Sequence, residues 1–226
     1  MMSNRSFGFR QKMLLALFAL AACSGTASTG SEGEDYCGII LWPYVSEQNV
    51  SGLSLNLFSG SYARFTGLGI GGLFQDADRF NGVGIGLVSF WARERMAGVS
   101  LGGIANGGGQ LDGLGLGCLA FVADSQCGWS FGALFSDVGT VNGWHDSVLF
   151  SRADVVNGCQ TSWILSECDK CLRGVQVGVF TYAADRVEGC QIGLVNIASG
   201  RVSGVQLGLI NVAPGTWNFP LVNPGQ

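Results

Sequence analysis

Ionisable side chains are scarce in this 226-residue chain: Asp, Glu, Lys and Arg together make up 12%, and there is a single histidine, His145. That charged fraction is about half the usual value for a globular protein. The net charge is −4, so no basic patch is available to neutralise phosphates, which argues against a nucleic-acid partner. Proline is also rare, at 4 residues. Long apolar runs are missing too: the longest, Met13 to Ala22, has ten residues, half of the roughly 20 that a membrane-spanning helix needs.

Catalytic equipment is equally thin. A Ser/His/Asp system needs its three groups to converge, and His145 lies in Gly143-Trp144-His145-Asp146, at a site expected to face solvent. Glycine phrases such as Gly82-Val83-Gly84-Ile85-Gly86 have no helix signal behind them, so a phosphate-cradling loop is not indicated. No catalysis, no metal and no cofactor are expected. Acidic residues such as Asp76, Asp78 and Asp112 do not recur at one phase and read as solvated turns.

What the chain has in excess is glycine, 37 residues, with a hydrophobic fraction of 47%. The apolar content is too high for disorder. Taking the glycine that opens each phrase gives Gly52, Gly67, Gly82, Gly98, Gly113, Gly128, Gly143, Gly158, Gly174, Gly189 and Gly204, spaced by 15 residues with two intervals of 16. A fainter start, Gly38, precedes them by fourteen. A fixed period of this length specifies a repeat architecture.

Within each unit, apolar residues fall one and three places after the opening glycine (+1 and +3), as in Leu68 and Ile70 or Val205 and Leu207. Alternation at period two is a strand signal. Apolar residues recur near +5, +6 and +8, and a glycine at +4 suits the bend between. Another apolar site lies at −2, as in Phe65, Phe80 and Val187. Each unit therefore reads as a coil of two short strands and two turns, with the +1 and +3 side chains expected inside.

The predicted fold is an all-β parallel β-solenoid of about 15-residue coils over residues 38–218, stacked at about 4.8 Å. Residues 219–226 form a tail or cap, with Pro214, Pro220 and Pro224 ending the pattern. The alternative is an antiparallel β-barrel of about twelve strands. Strict alternation of only about five residues, where spanning strands need 9 to 11, argues against it.

The N-terminus reads as an export signal over residues 1–22, with Arg5, Arg10 and Lys12 before the apolar run. Leu20-Ala21-Ala22-Cys23 resembles a bacterial lipobox, which implies lipidation of Cys23, and residues 23–37 suit a flexible tether. Removing the leader would leave nine basic residues against sixteen acidic, a net charge of −7. Gly-Val-Gln-Leu-Gly-Leu-Ile-Asn at 204–211, with copies from 174 and 189, is similar to the tandem GVQ(I/L)GL(I/V)N units of bacterial surface-repeat lipoproteins. That resemblance implies an envelope location and a non-catalytic role. Ser24 rather than Asp after Cys23 resembles the pattern exported onward to the outer membrane. The expectation is a lipid-anchored protein on its periplasmic or cell-surface face, interacting with a protein or glycan partner.

Seven cysteines follow Cys23. In an oxidising compartment disulfides are expected, with Cys118, Cys127, Cys168 and Cys171 as the candidates. Cys159 and Cys190, both at +1, read as small core residues. Aromatic residues crowd between Trp129 and Trp163, which marks either a binding patch or a wider core.

Overall fold

A computed structural model of the protein describes residues 35–215 and 221–224. The leader, Cys23, nearly all of the 23–37 tether and Pro220 lie outside the described residues. The chain forms β1 (Asp35–Gly71), β2 (Phe74–Gly86), β3 (Ser89–Gly102), β4 (Ala105–Gly117), β5 (Ala120–Gly132), β6 (Phe135–Ser147), β7 (Phe150–Ser162) and β8 (Leu165–Val177). Shorter strands follow: β9 (Phe180–Ala183), β10 (Arg186–Ile192), β11 (Val195–Ala198), β12 (Arg201–Val202), β13 (Val205–Gly208), β14 (Ile210–Val212) and β15 (Leu221–Pro224).

Every pairing from β1 to β14 is parallel and joins one coil to the next, as in Gly67↔Gly82, Gly82↔Gly98 and Gly98↔Gly113. This is a β-solenoid of about eleven turns, and the barrel alternative is ruled out. The two 16-residue units absorb their extra residue as register shifts, between Ala92 and Arg95 and at Asp169-Lys170, opposite the step from Ala153 to Val155. Among the described strands only β15 runs antiparallel, laid against β13 with Val205↔Pro224 and Gln206↔Asn223. It covers the last coil.

The opening glycines form a column, each lying over the one before. From Gly38 to Gly174 their φ values lie between +119° and +150°, a region that side chains rarely adopt. A Cβ on Gly113 would also lie 2.2 Å from the Gly98 carbonyl oxygen. Two constraints thus fix glycine at this site. The +4 glycine, expected to supply the bend through its dihedrals, has no such φ. Its constraint is space, since a Cβ on Gly117 would lie 2.0 Å from the Ala120 carbonyl oxygen across the bend.

The expected orientation of +1 and +3 is corrected by the structure. The buried sites are −2, +2, +4, about +8 and about +10, whereas +1 and +3 face outward. At −2 run Phe65, Phe80, Met96, Leu111, Val141, Val156, Leu172, Val187 and Val202, and Ala77, Ala92, Ala123, Ala153 and Ala183 form a second buried column. The +2 column is Ser54, Gly69, Gly84, Ser100, Gly115, Ser130, His145, Gln160, Gln176, Gln191 and Gln206. The apolar/polar alternation was legible, but its inner face is the one carrying glycine and amides.

Volume explains how that interior closes. Where +8 is phenylalanine, +2 is glycine, because a Cβ on Gly84 would lie 2.1 Å from Phe90 and one on Gly115 would lie 2.4 Å from Phe121. Where +2 is glutamine, the facing residue is Ser166, Thr181, Asn196 or Asn211. Large faces small in the coils of Gly84 with Phe90, Gly115 with Phe121 and Gln160 with Ser166, as close packing demands. The first coils hold stacked aromatics, with Phe65 and Phe80 centroids 5.0 Å apart. The last hold amide ladders.

Candidate functional site

The Gln and Asn of the repeated phrase are internal. Gln176 Nε2 donates to Gln160 Oε1 at 3.2 Å, Gln191 to Gln176 at 2.9 Å and Gln206 to Gln191 at 2.9 Å. Asn223 of β15 donates to Gln206 Oε1 at 2.8 Å and so extends the ladder into the cap. Beside it, Asn196 Nδ2 donates to Asn211 Oδ1 at 2.7 Å. Buried amides in register satisfy one another from coil to coil. The motif therefore holds the coils together and offers no ligand contact.

His145 continues the +2 column and is fully buried, which corrects the expected solvated position. Its Nδ1 lies 2.8 Å from Ser130 Oγ. The Ser130 hydroxyl donates to Gln126 Oε1, so Nδ1 carries the proton that completes the pair. Burial lowers its pKa to about 4, against the opposing effect of backbone contacts at Ser136 and Arg152. A histidine that donates through Nδ1 cannot accept the proton of that serine, and neither residue is open to a substrate. The contact is a packing contact.

The seven described cysteines are free thiols. Cys168 points into the coil in the small-residue column, with Sγ 3.7 Å from the Asp154 carbonyl oxygen, and burial pushes its thiol up to about 12. Cys171 is half-buried, while Cys118, on a bend, and Cys127, beside Gly128, are exposed. None of the four candidate cysteines is bridged in this structure. Cys159 and Cys190 are half-exposed at +1, outside the core to which they were assigned. Among the described residues no cluster of three His, Cys, Asp or Glu could hold a metal ion.

The distinctive surface is a wall rather than a cleft. Between +1 and +8 of the coils opened by Gly52 to Gly204, the one charged side chain is Asp146. All other charges of those coils fall between +9 and the next opening glycine. There they pair between coils, as Arg95 with Asp112 at 2.6 Å, Arg152 with Asp169 at 2.7 Å and Arg173 with Glu188 at 3.1 Å. On the uncharged side stand Leu68, Val83, Trp129 and Trp144 at +1. Along the bend runs a ridge including Leu57, Leu73, Leu87, Ile104, Leu119, Leu134, Trp163, Leu194 and Leu209, with Leu87 66% and Trp163 77% exposed.

The aromatic cluster belongs to this wall: Trp129 and Trp144 are about half-exposed, with ring centroids 6.1 Å apart. The stretch therefore lies largely outside the core, against the wider-core reading. Sequence reasoning missed the wall because it sorted residues as apolar or polar. Charge plotted against phase in the repeat would have revealed it.

Comparisons with protein-family models, curated proteins and solved structures returned no match for this chain. No helix among the described residues is long and apolar enough to cross a membrane.

Proposed function

We propose that this chain is an exported, outer-membrane lipoprotein anchored through Cys23, whose solenoid acts as a non-catalytic interaction surface. The observation that carries the reading is the uncharged apolar wall. Contiguous exposed apolar surface on this scale marks a protein or membrane contact, and here it is confined to one side of the coils while ion pairs occupy the other.

The interior supports a non-catalytic role, because the amides of its glutamine ladder are spent on coil-to-coil hydrogen bonds. The Leu20-Ala21-Ala22-Cys23 stretch supports the anchor, and the short polar segment after it supplies a tether. Intact-mass measurement of the protein exported by a bacterial host tests the anchor. The expected result is loss of residues 1–22 and addition of acyl chains at Cys23. A Cys23→Ala variant should show neither, and a mature protein carrying no acyl mass would overturn the lipoprotein reading.

A further inference from the structure

We propose that the wall's occupant is a lipid bilayer, with the bend ridge sunk into the interface and the charged side held in water. The proposal takes from the preceding section only the proximity that a lipid on Cys23 would provide. Two conditions govern any backbone placed in an apolar medium: no uncompensated charge, and no unpaired N–H. From Leu73 to Trp163 the ridge residues named above meet both.

The amides of Leu73, Leu87, Ile104, Leu119, Leu134 and Trp163 are bonded from coil to coil. Leu73 N donates to Phe58 O at 3.1 Å, Ile104 N to Val88 O at 2.7 Å, Leu119 N to Ile104 O at 3.1 Å, Leu134 N to Leu119 O at 2.9 Å and Trp163 N to Val148 O at 2.9 Å. The side chains there are almost wholly hydrocarbon or indole. A protein partner would call for a polar rim and about one hydrogen bond per 100–200 Å², and the outward sites +1, +5 and +6 supply few groups to make them. A bilayer asks for none.

Aromatic placement agrees. Trp129, Trp144 and Trp163 belong to three successive coils, and indole favours the boundary between acyl chains and headgroups. Chain length agrees as well: Asp35 lies twelve residues beyond Cys23, a contour of at most about 40 Å. An acylated chain would keep the wall within reach of the membrane, where a shallow insertion of about 5–10 Å suits such a surface.

The test uses the exported full-length lipoprotein in zwitterionic phosphatidylcholine vesicles, some carrying brominated acyl chains. Expected are quenching of tryptophan emission by the brominated lipid, protection from aqueous iodide, and indifference to added salt. The triple variant Leu87→Asp, Leu119→Asp, Leu194→Asp changes exposed sites only; it should keep its far-ultraviolet dichroism and lose the lipid quenching several-fold. Emission open to iodide and untouched by brominated lipid would overturn the proposal. So would emission shielded from both in a cross-linkable dimer, which would assign the wall to a second copy. Intact mass of the same sample separates the two readings: acyl-free protein that is still quenched by lipid keeps the wall and loses the anchor. Acylated protein open to iodide does the reverse.

Discussion

At the residue scale, Gly113 shows what a single atom can cost. Its φ of +137° and the Gly98 carbonyl 2.2 Å from any added Cβ act together, so Gly113→Ala should lose at least about 3 kcal/mol of unfolding free energy. Gly215, with φ +72° and nothing within 4 Å of an added Cβ, meets only the dihedral penalty. Gly215→Ala should cost about 1 kcal/mol. Denaturant titration of the two variants checks the difference, and equal losses would contradict the stacked column.

His145 makes a second residue-scale prediction. Its folded pKa of about 4 lies below the ordinary 6.5, so the unfolded chain takes up its proton first. Stability is intact above pH 6.5, falls as pH drops from 6.5 toward 4, and is fully reduced below 4. The loss between pH 7 and pH 5 from this group is about 2 kcal/mol. His145→Gln places at +2 the residue that the next coil already carries there. It should be near neutral at pH 7 and remove that part of the pH dependence, which urea midpoints at the two pH values would read. Unchanged pH dependence in the variant would show that His145 is not buried neutral.

At the element scale, the coil is set by pairs of facing residues. Gly115 and Phe121 fill one cross-section together, so Gly115→Gln alone should be destabilising, as should Phe121→Ser alone by about 3–5 kcal/mol. The double variant imitates Gln160 facing Ser166 and should recover about 2 kcal/mol or more of the summed losses. Strict additivity would refute the facing-pair account. At the C-terminal end, Asn223→Ala removes the amide that closes the Gln ladder. Hydrogen exchange of β13 amides should then quicken markedly, with little change in β4 to β6, since coils communicate mainly with their neighbours.

Much of this scale was legible in the sequence: the 15-residue period gave the coil length, the parallel stacking and the sites of the two extra residues. Orientation was not. Alternation tells which side chains share a face, but not which face is inside. The usual rule that apolar means buried failed at Leu68, Val83 and Val205. The inner +2 site can be a glycine that leaves room for a phenylalanine, as at Gly84 beside Phe90, or a rung of an amide ladder that satisfies itself in register, as from Gln160 to Gln206. The −2 column of Phe65, Phe80 and Val187 followed the usual rule.

At the scale of the whole molecule, charge is sorted by phase, so that one side of the solenoid carries ion pairs and the other carries Asp146 alone. The ion pairs are mostly exposed, as Arg95 and Arg173 illustrate, and exposed pairs contribute only about 0–1 kcal/mol each. High salt should therefore shift the melting temperature little. The stability of the solenoid resides instead in the stacked interior.

The account depends most on that interior being the face with glutamine and the exterior the face with leucine and isoleucine. Three consecutive sites in β10 test it: native Cys190, Gln191→Cys and Ile192→Cys, with the rate of thiol labelling measured at each position in the folded protein. The account predicts labelling at 190 and 192 without unfolding, and protection at 191 until the chain is denatured. Ready labelling at 191 together with protection at 192 would turn the coil inside out and contradict it.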